Sequence, residues 1–219
     1  MENSKVLLQY ALDAVTSAGL RLSDWEIGGG TVLARYFNHR LSKDIDVFIP
    51  DIQLLGELSP RFNASTEDVL DYVETGNFIS LTYPEGKVDF IAGAQISPFR
   101  AKKEDFFGKS VYLENPVEII SKKIYYRGLY LKPRDLFDLA VVAHNGREKD
   151  LLDTLKTIPN EAEAFFSKYY EARLKGLQAF SCMYQESILP DGEKFIGKEF
   201  YVCDILRKHY LARTQTKGR

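Results

Sequence analysis

Three consecutive glycines, followed by two aspartates two positions apart, constrain this chain more than any other feature of its sequence. The glycines occupy positions 28–30, and residues 44–49 read Asp-Ile-Asp-Val-Phe-Ile. Because β-branched and aromatic residues favour strands, we expect residues 44–49 to form one. Side chains two positions apart on a strand lie on the same face, roughly 7 Å apart along the chain. The sequence therefore predicts that Asp44 and Asp46 form a carboxylate pair.

The glycine run and the aspartate pair together indicate phosphate chemistry. Glycines let backbone N–H groups approach an anion, and we expect residues 31–38 to form a helix whose positive end faces that anion. Mg²⁺ is held by one or two carboxylates together with substrate phosphates. Taken singly, a glycine run is most often only a turn, and an aspartate pair at a strand start is usually a solvated edge or a cap. Their conjunction favours metal-assisted phosphoryl chemistry.

Asp89 is the third candidate acid. Residues 78–83 and 87–92 are predicted to form two strands, joined by the turn residues Pro84-Glu85-Gly86. A two-metal phosphoryl-transfer centre needs several carboxylates, and an adjacent strand can supply one that the first strand cannot. An aspartate in a strand is equally compatible with a solvated sheet face.

The remaining pattern predicts two domains, with the boundary near Pro116. Residues 1–114 are expected to form a mixed sheet with flanking helices, and residues 115–219 a helical bundle, which makes the fold class α+β. In the first domain we expect helices at 4–18, 50–58 and 65–73, a last strand at 111–113, and solvated surface at 100–103. In the second we expect helices at 116–126, 133–144, 149–157, 161–184 and 198–212, with a turn at 190–192.

Composition excludes several classes of protein. Cys182 and Cys203 have neither disulfide-scaffold nor zinc-site spacing, so we expect buried thiols. The sequence has no apolar run of about 18 residues and no signal-peptide pattern, which predicts a cytoplasmic protein without a membrane partner. The net charge is −2. The first half is acidic and the second mildly basic, and the basic residues 207–208 and 213–219 are compatible with phosphate contacts.

The arrangement around the glycines resembles the active-site signature of the DNA polymerase β-like nucleotidyltransferase superfamily. More narrowly, it resembles the AbiEii-type nucleotidyltransferase toxins. The matching motifs are the Gly-Gly-Gly-Thr turn, His39-Arg40-Leu41-Ser42 and Asp44-Ile45-Asp46. The resemblance implies a polymerase β-like sheet domain and transfer of NMP from an NTP to an acceptor.

The resemblance continues into the second domain. Residues 123–127, Lys-Ile-Tyr-Tyr-Arg, and 134–139, Arg-Asp-Leu-Phe-Asp-Leu, match a lysine motif and an Arg-Asp-x-x-Asp motif of the family. The match implies that Lys123, rather than the adjacent Lys122, contacts the triphosphate and that Asp135 is a further functional acid. The alternative from the residues alone is that Lys123 and Arg127 form ion pairs with Asp135 and Asp138 that only dock the helices.

Motifs and resemblance together give one set of candidate residues. The candidate catalytic residues are Asp44, Asp46, Asp89, Lys123 and Asp135. The candidate metal ligands, for Mg²⁺ or Mn²⁺, are Asp44, Asp46 and Asp89. The candidate nucleotide-binding residues are Gly28, Gly29, Gly30, Thr31, Arg40, Ser42, Lys123 and Arg127.

The acceptor and the partners are open at this point. The resemblance implies an NTP substrate, tRNA or another RNA as acceptor, and a cognate antitoxin. Two alternatives remain: a nucleotidyltransferase acting on a small molecule, and a non-catalytic module that binds a nucleotide or a partner. Like-charge repulsion between the acids argues against the second, because carboxylates held together without a cation cost stability.

Overall fold

The computed structural model describes residues 2–67, 69–130, 132–174 and 187–215. The chain divides into two compact units. The sheet unit comprises Met1–Arg35, Ser42–Gln95 and Arg100–Asn115, and the helical unit comprises Tyr36–Leu41, Ile96–Phe99 and Pro116–Arg219. The helical unit thus includes two short segments, 36–41 and 96–99, that precede residue 114 in the sequence.

The sheet unit contains a mixed sheet, as predicted. Its described strands are β1 (Glu26–Gly28), β2 (Ile45–Ile49), β3 (Asp71–Glu74), β4 (Phe78–Tyr83), β5 (Gly86–Ala92), β6 (Lys102–Phe106) and β7 (Lys109–Leu113). They lie in the order β3-β4-β5-β2-β1-β7-β6. Strand β2 runs antiparallel to β1 and parallel to β5, and β1 runs parallel to β7. The central strands β1, β2 and β5 carry the glycines and two of the acids.

Two of the described α-helices belong wholly or partly to the sheet unit. Helix α1 (Glu2–Ser17) packs on β2 and β5, since its Leu7, Leu8 and Ala11 are buried at helical spacing. Gly19, with a φ of +69°, follows the end of α1 as the sequence predicted. Helix α2 (Gly29–Phe37) starts within the glycine run itself, earlier than expected.

Two expectations for the sheet unit were wrong. The described residues within 65–73 do not form the predicted helix: a 3₁₀ turn at Ala64–Thr66 is capped by the Asn63 side chain, and β3 then pairs with β4. Pairing with a sheet edge overrides the local helix signal there. Lys102 and Lys103 are exposed, as expected of solvated surface, and lie in β6, an edge strand, where lysines are common. Strand β2 begins at Ile45, so Asp44 lies just before the strand.

The described helices of the helical unit lie close to their predicted positions. They are α3 (Pro116–Arg127), α4 (Pro133–Val142), α5 (Glu148–Leu155), α6 (Pro159–Leu174), α7 (Pro190–Glu193) and α8 (Lys198–Gln215). The predicted turn at 190–192 is the short helix α7. The second half of the helix predicted at 161–184 lies outside the described residues. No helix in the described ranges has the length and apolar character needed to cross a bilayer.

The core of the helical unit explains how its separate segments join. Phe137, Val141 and Phe195 form an apolar cluster against which Phe37 packs. Buried Glu118 accepts hydrogen bonds from the backbone N–H groups of residues 96 and 97, which attaches segment 96–99 to α3. Cys203 is buried, as predicted, whereas Cys182 lies outside the described residues.

Candidate active site

Four residues lie in one row across the centre of the sheet unit. Gly28 of β1 pairs with Asp46 of β2, Asp46 pairs with Asp89 of β5, and Asp89 pairs with Ser80 of β4. Directly paired residues point to the same face of a sheet. The two predicted acids therefore lie side by side on one face, with a glycine on one flank and a serine on the other.

The glycine turn is in direct contact with this row. Gly29 has a φ of +71°, a conformation that side chains rarely adopt, and a Cβ on it would overlap the Asp46 carboxylate. A Cβ on Gly28 would overlap the carboxylate of buried Glu114 and the ring of Phe48. Only glycines therefore allow α2 to begin this close to the acids, and α2 directs the positive end of its dipole there.

Asp44 approaches the same row from the chain before β2. Its Oδ1 accepts a hydrogen bond of 3.1 Å from the backbone N–H of Lys87, and its side chain is exposed. Burial raises the pKa of Asp89, the charge of Asp44 raises it further, and the 2.5 Å hydrogen bond from Ser80 opposes both. Asp44 and Asp89 are thus close enough to repel each other.

Thr31 and Ser42 hold the chain that leads to Asp44. The Thr31 hydroxyl donates to the backbone carbonyl of Asp44 over 2.5 Å, and the Thr31 and Ser42 hydroxyl oxygens are 3.1 Å apart. Thr31 is buried in the first turn of α2 together with Gly30. These contacts tie the start of α2 to the aspartate pair.

The acids fit a cation that is held partly by a substrate. No three His, Cys, Asp or Glu side chains of the described residues are grouped closely enough to hold a metal ion by themselves. Mg²⁺ typically takes one or two carboxylates and completes its octahedron with waters and phosphate oxygens. Asp44 and Asp46 carry carboxylate oxygens of this kind beside the glycine turn; their role as metal ligands, like that of Asp89 as a third ligand, stays a prediction.

The helical unit contains a second group of predicted residues, centred on Asp138. The Asp138 carboxylate accepts two hydrogen bonds of 2.7 Å from the Arg40 guanidinium, one of 2.5 Å from the Lys123 ammonium, and lies 2.8 Å from His39 Nε2. Burial alone would raise the pKa of Asp138, but the charges of Arg40 and Lys123 lower it well below its usual value. We name these four residues the Asp138 cluster.

Lys123, Arg127 and Asp135 extend this cluster. Lys123 Nζ and Arg127 Nη2 both donate to Asp135 Oδ1 over 2.9 Å. Lys122 instead lies 3.6 Å from Glu118, which distinguishes the two adjacent lysines. The ion pairs that the sequence offered as the alternative to nucleotide contact are formed.

The sequence did not predict three contacts near the candidate site residues: those of Ser80 with Asp89, Glu114 with Gly28 and His39 with Asp138. Ser80 could have been found by counting back across the Pro84-Glu85-Gly86 turn from Asp89. The contact of Glu114 with Gly28 depends on the parallel pairing of β1 with β7, which no local sequence pattern predicts. His39 was noted only as part of a motif, since its contact with Asp138 spans 99 positions.

Known proteins of similar structure include nucleotidyltransferases. A putative nucleotidyltransferase from Helicobacter pylori is 16% identical and covers 96% of each chain with a TM-score of 0.49. The antibiotic-resistance factor ANT(2'')-Ia is 16% identical, with 78% of this chain and 95% of its own covered and a TM-score of 0.47. The nucleotidyltransferase toxin MenT4 from Mycobacterium tuberculosis is 16% identical, covers 92% and 84%, and has a TM-score of 0.45.

The sequence itself identifies the family. No curated protein matches it. A family model described as "Nucleotidyl transferase AbiEii toxin, Type IV TA system" matches residues 11–200, which is most of the chain. The motifs that carry the resemblance, from the glycine run to the Arg-Asp-x-x-Asp motif, all lie within that match. The chain belongs to the AbiEii nucleotidyl transferase toxin family.

Proposed function

We propose that this protein transfers a nucleoside monophosphate from an NTP to an RNA acceptor, tRNA or another RNA, in the presence of Mg²⁺ or Mn²⁺. The observation that carries the proposal is the row Gly28–Asp46–Asp89, with Gly29 in contact with Asp46. It brings an anion-binding turn and two acids together, as metal-assisted transfer between phosphates requires.

The sheet unit would bind the triphosphate and the reacting groups. The backbone of Gly28, Gly29 and Gly30 and the start of α2 would accept the β- and γ-phosphates, with Thr31 and Ser42 keeping that turn beside the aspartates. Asp44 and Asp46 would be the metal ligands. A cation held there would bridge phosphate oxygens and neutralise charge as pyrophosphate leaves.

Asp89 would act beside the acceptor. In the transfer, the acceptor hydroxyl oxygen forms a bond to the α-phosphorus while the bond to the bridging oxygen of pyrophosphate breaks. The hydroxyl proton must leave, and Asp89 is the candidate to receive it or to serve as a further metal ligand. Its hydrogen bond with Ser80 fixes the orientation of the carboxylate for either role.

The helical unit would supply positive charge for the nucleotide. Lys123 and Arg127 are the proposed triphosphate contacts, and Asp135, which binds both, is the proposed further acid. Arg40 is the remaining proposed nucleotide-binding residue and is held by Asp138. Guanidinium and ammonium groups suit phosphate oxygens, and Arg127 keeps a third of its side chain exposed. As a member of a toxin family, the protein would also bind a cognate antitoxin.

Incubation with each labelled NTP, Mg²⁺ and total RNA tests the proposal. We expect label to enter RNA, with release of pyrophosphate, for one or more NTPs, and we expect EDTA to stop it. Label in a small molecule or in protein would overturn the RNA acceptor but keep the transfer reaction. Failure of all four NTPs to give pyrophosphate with RNA present would overturn the transfer reaction as well.

A further inference from the structure

Exposed aromatic side chains gather at the end of α3 and in the 3₁₀ turn Gly128–Tyr130 that follows it. Tyr125, Tyr126 and Tyr130 are 42%, 44% and 80% exposed, and Leu129 is 59% exposed. The rings of Tyr125 and Tyr126 meet edge to face, with centroids 4.9 Å apart. We name these four residues the tyrosine surface; large apolar groups exposed together commonly mark a binding site.

A pocket opens within the tyrosine surface. Its volume is about 240 Å³, and its walls include all three tyrosines, Asn160 and Glu161. Pockets for drug-sized ligands span roughly 300–1,000 Å³, so this one suits a smaller planar group. Asn160 and Glu161 offer amide and carboxylate groups of the kind that hydrogen-bond to the edges of bases.

Positive charges lie beside the aromatic groups. Arg127 and Lys132 line one small cavity together with Gly128, and Arg134 lies two residues after Lys132 in the chain. Lys132 and Arg134 are exposed. Asp135, which binds Arg127, is the nearby acid that offsets part of this charge.

We propose that the tyrosine surface, together with Lys132 and Arg134, binds single-stranded RNA. Bases stack on exposed aromatic rings irrespective of sequence, while neighbouring cations neutralise the phosphates between them. The proposal rests on the proposed function in that the RNA bound here is the acceptor strand. Binding itself requires neither NTP nor metal.

Charge and pocket size favour RNA over a protein partner. The exposed cations Lys132 and Arg134 gain from polyanionic phosphates, whereas an apolar protein face would have to desolvate them. The exposed tyrosines carry hydroxyl groups that stay hydrated at the rim while the ring faces stack. A pocket of this size matches one base better than it matches a helix of a partner.

Fluorescence polarisation of a short labelled single-stranded RNA, titrated with the full chain without NTP, tests the proposal. We expect Tyr130→Ala to weaken binding by roughly 5- to 150-fold. Tyr201→Ala, which removes a 67% exposed tyrosine from α8, is the matched control and should leave binding unchanged. The same RNA annealed into a duplex should lose the dependence on Tyr130, because its bases are not free to stack.

The dependence of RNA affinity on salt concentration tests whether the cations contribute to binding. Lys132→Gln should lower the slope of log K against log salt by about 0.7 for a single strand. Lys102→Gln, on the exposed edge strand β6, should not change it. If Tyr130→Ala and Lys132→Gln bind the single strand as wild type does, the proposal is overturned.

Failure of RNA binding at the tyrosine surface and failure of the proposed transfer reaction give different results. RNA labelling that proceeds normally in Tyr130→Ala, with unchanged RNA affinity, overturns this surface but leaves the proposed function intact. Binding that depends on Tyr130, without labelling of any RNA, supports the surface and overturns the transfer to RNA. A change in oligomeric state of Tyr130→Ala at unchanged RNA affinity assigns the surface to protein contact and overturns RNA binding there.

Discussion

Aspartates of the sheet unit and of the helical unit experience opposite electrostatic surroundings. Burial raises the pKa of Asp89. The charge with the strongest effect on that pKa is another carboxylate, that of Asp44, which raises it further. Asp138 is more deeply buried, yet its pKa lies well below the usual value because Arg40 and Lys123 contact it. An aspartate carboxylate is therefore repelled by a neighbouring carboxylate in the sheet unit, whereas in the helical unit it is attracted by neighbouring cations.

This difference distinguishes carboxylates that can bind a cation, in the sheet unit, from a carboxylate with a structural role, in the helical unit. A buried carboxylate is stable only when charges or hydrogen bonds compensate for lost water. The helical unit supplies that compensation from His39, Arg40 and Lys123. In the sheet unit, Asp44 and Asp89 would be compensated by a cation brought in with the nucleotide. We infer that the sheet-unit acids serve chemistry and that Asp138 has a structural role, in that it holds Arg40 and Lys123 in place.

Asp46→Asn should give the largest effect. The change keeps the size of the side chain but removes the charge beside Gly29, so we expect transfer to fall by about 1,000-fold or more, since a bound metal supplies several kcal/mol of transition-state stabilisation. Initial rates of pyrophosphate release measure it. Asp71→Asn, exposed on edge strand β3, is the control and should be fully active. Normal turnover by Asp46→Asn would show that the Asp46 carboxylate is not needed for transfer.

Asp138→Ala should have its main effect on stability. It leaves Arg40 and Lys123 buried without their shared carboxylate, so we expect the free energy of unfolding to fall by about 3–5 kcal/mol. Asp153→Ala removes an exposed ion pair with Lys156 and should cost less than about 1 kcal/mol. Urea titrations followed by circular dichroism compare the two. Equal losses would show that the Asp138 cluster is no more than a surface pair.

The pH dependence of this contribution follows from the direction of the pKa. Because the pKa of Asp138 is lower in the folded protein than in the unfolded chain, its contribution is fully present above about pH 4 and is lost as the pH falls towards the folded-state value. The stability difference between wild type and Asp138→Asn should therefore shrink as the pH is lowered below about 4. A difference that grows in acid would contradict the assignment.

The sequence predicted local elements better than contacts between distant segments. Strands β2, β4 and β5 and the turn before Gly86 follow from alternation and turn residues, and their pairing brings Asp46 beside Asp89. In contrast, the pairing of Arg40 with Asp138 spans 98 positions, and no local pattern encodes it. Residues 65–73 were misassigned because pairing with β4 outweighs the local helix signal.

Gly29→Ala tests whether the close approach of the glycine turn to Asp46 is needed for transfer. Its positive φ strains alanine, and its Cβ would displace the Asp46 carboxylate; misplacement of a reacting group by about 1 Å costs about 100-fold in rate. Gly19→Ala has a similar φ of +69° but meets nothing within 4 Å. We expect both variants to lose about 1–2 kcal/mol of stability and only Gly29→Ala to lose activity. If Gly29→Ala and Gly19→Ala lost activity to the same extent, backbone strain alone would explain the loss.

Ser80→Ala should give the smallest effect, because it removes one hydrogen bond and leaves every acid in place. A hydrogen bond to a charged group contributes about 1.5–3 kcal/mol, of which water can restore part at a half-buried carboxylate, so we expect transfer to fall by about tenfold. Ser110→Ala is closely matched, since Ser110 also faces an aspartate, Asp105, across an antiparallel pair in the same sheet, but at an exposed edge. A fall in initial rate for Ser80→Ala alone would show that the orientation of Asp89 matters to transfer. Equal rates for the two variants would mean that the hydrogen bond from Ser80 to Asp89 does not contribute to transfer.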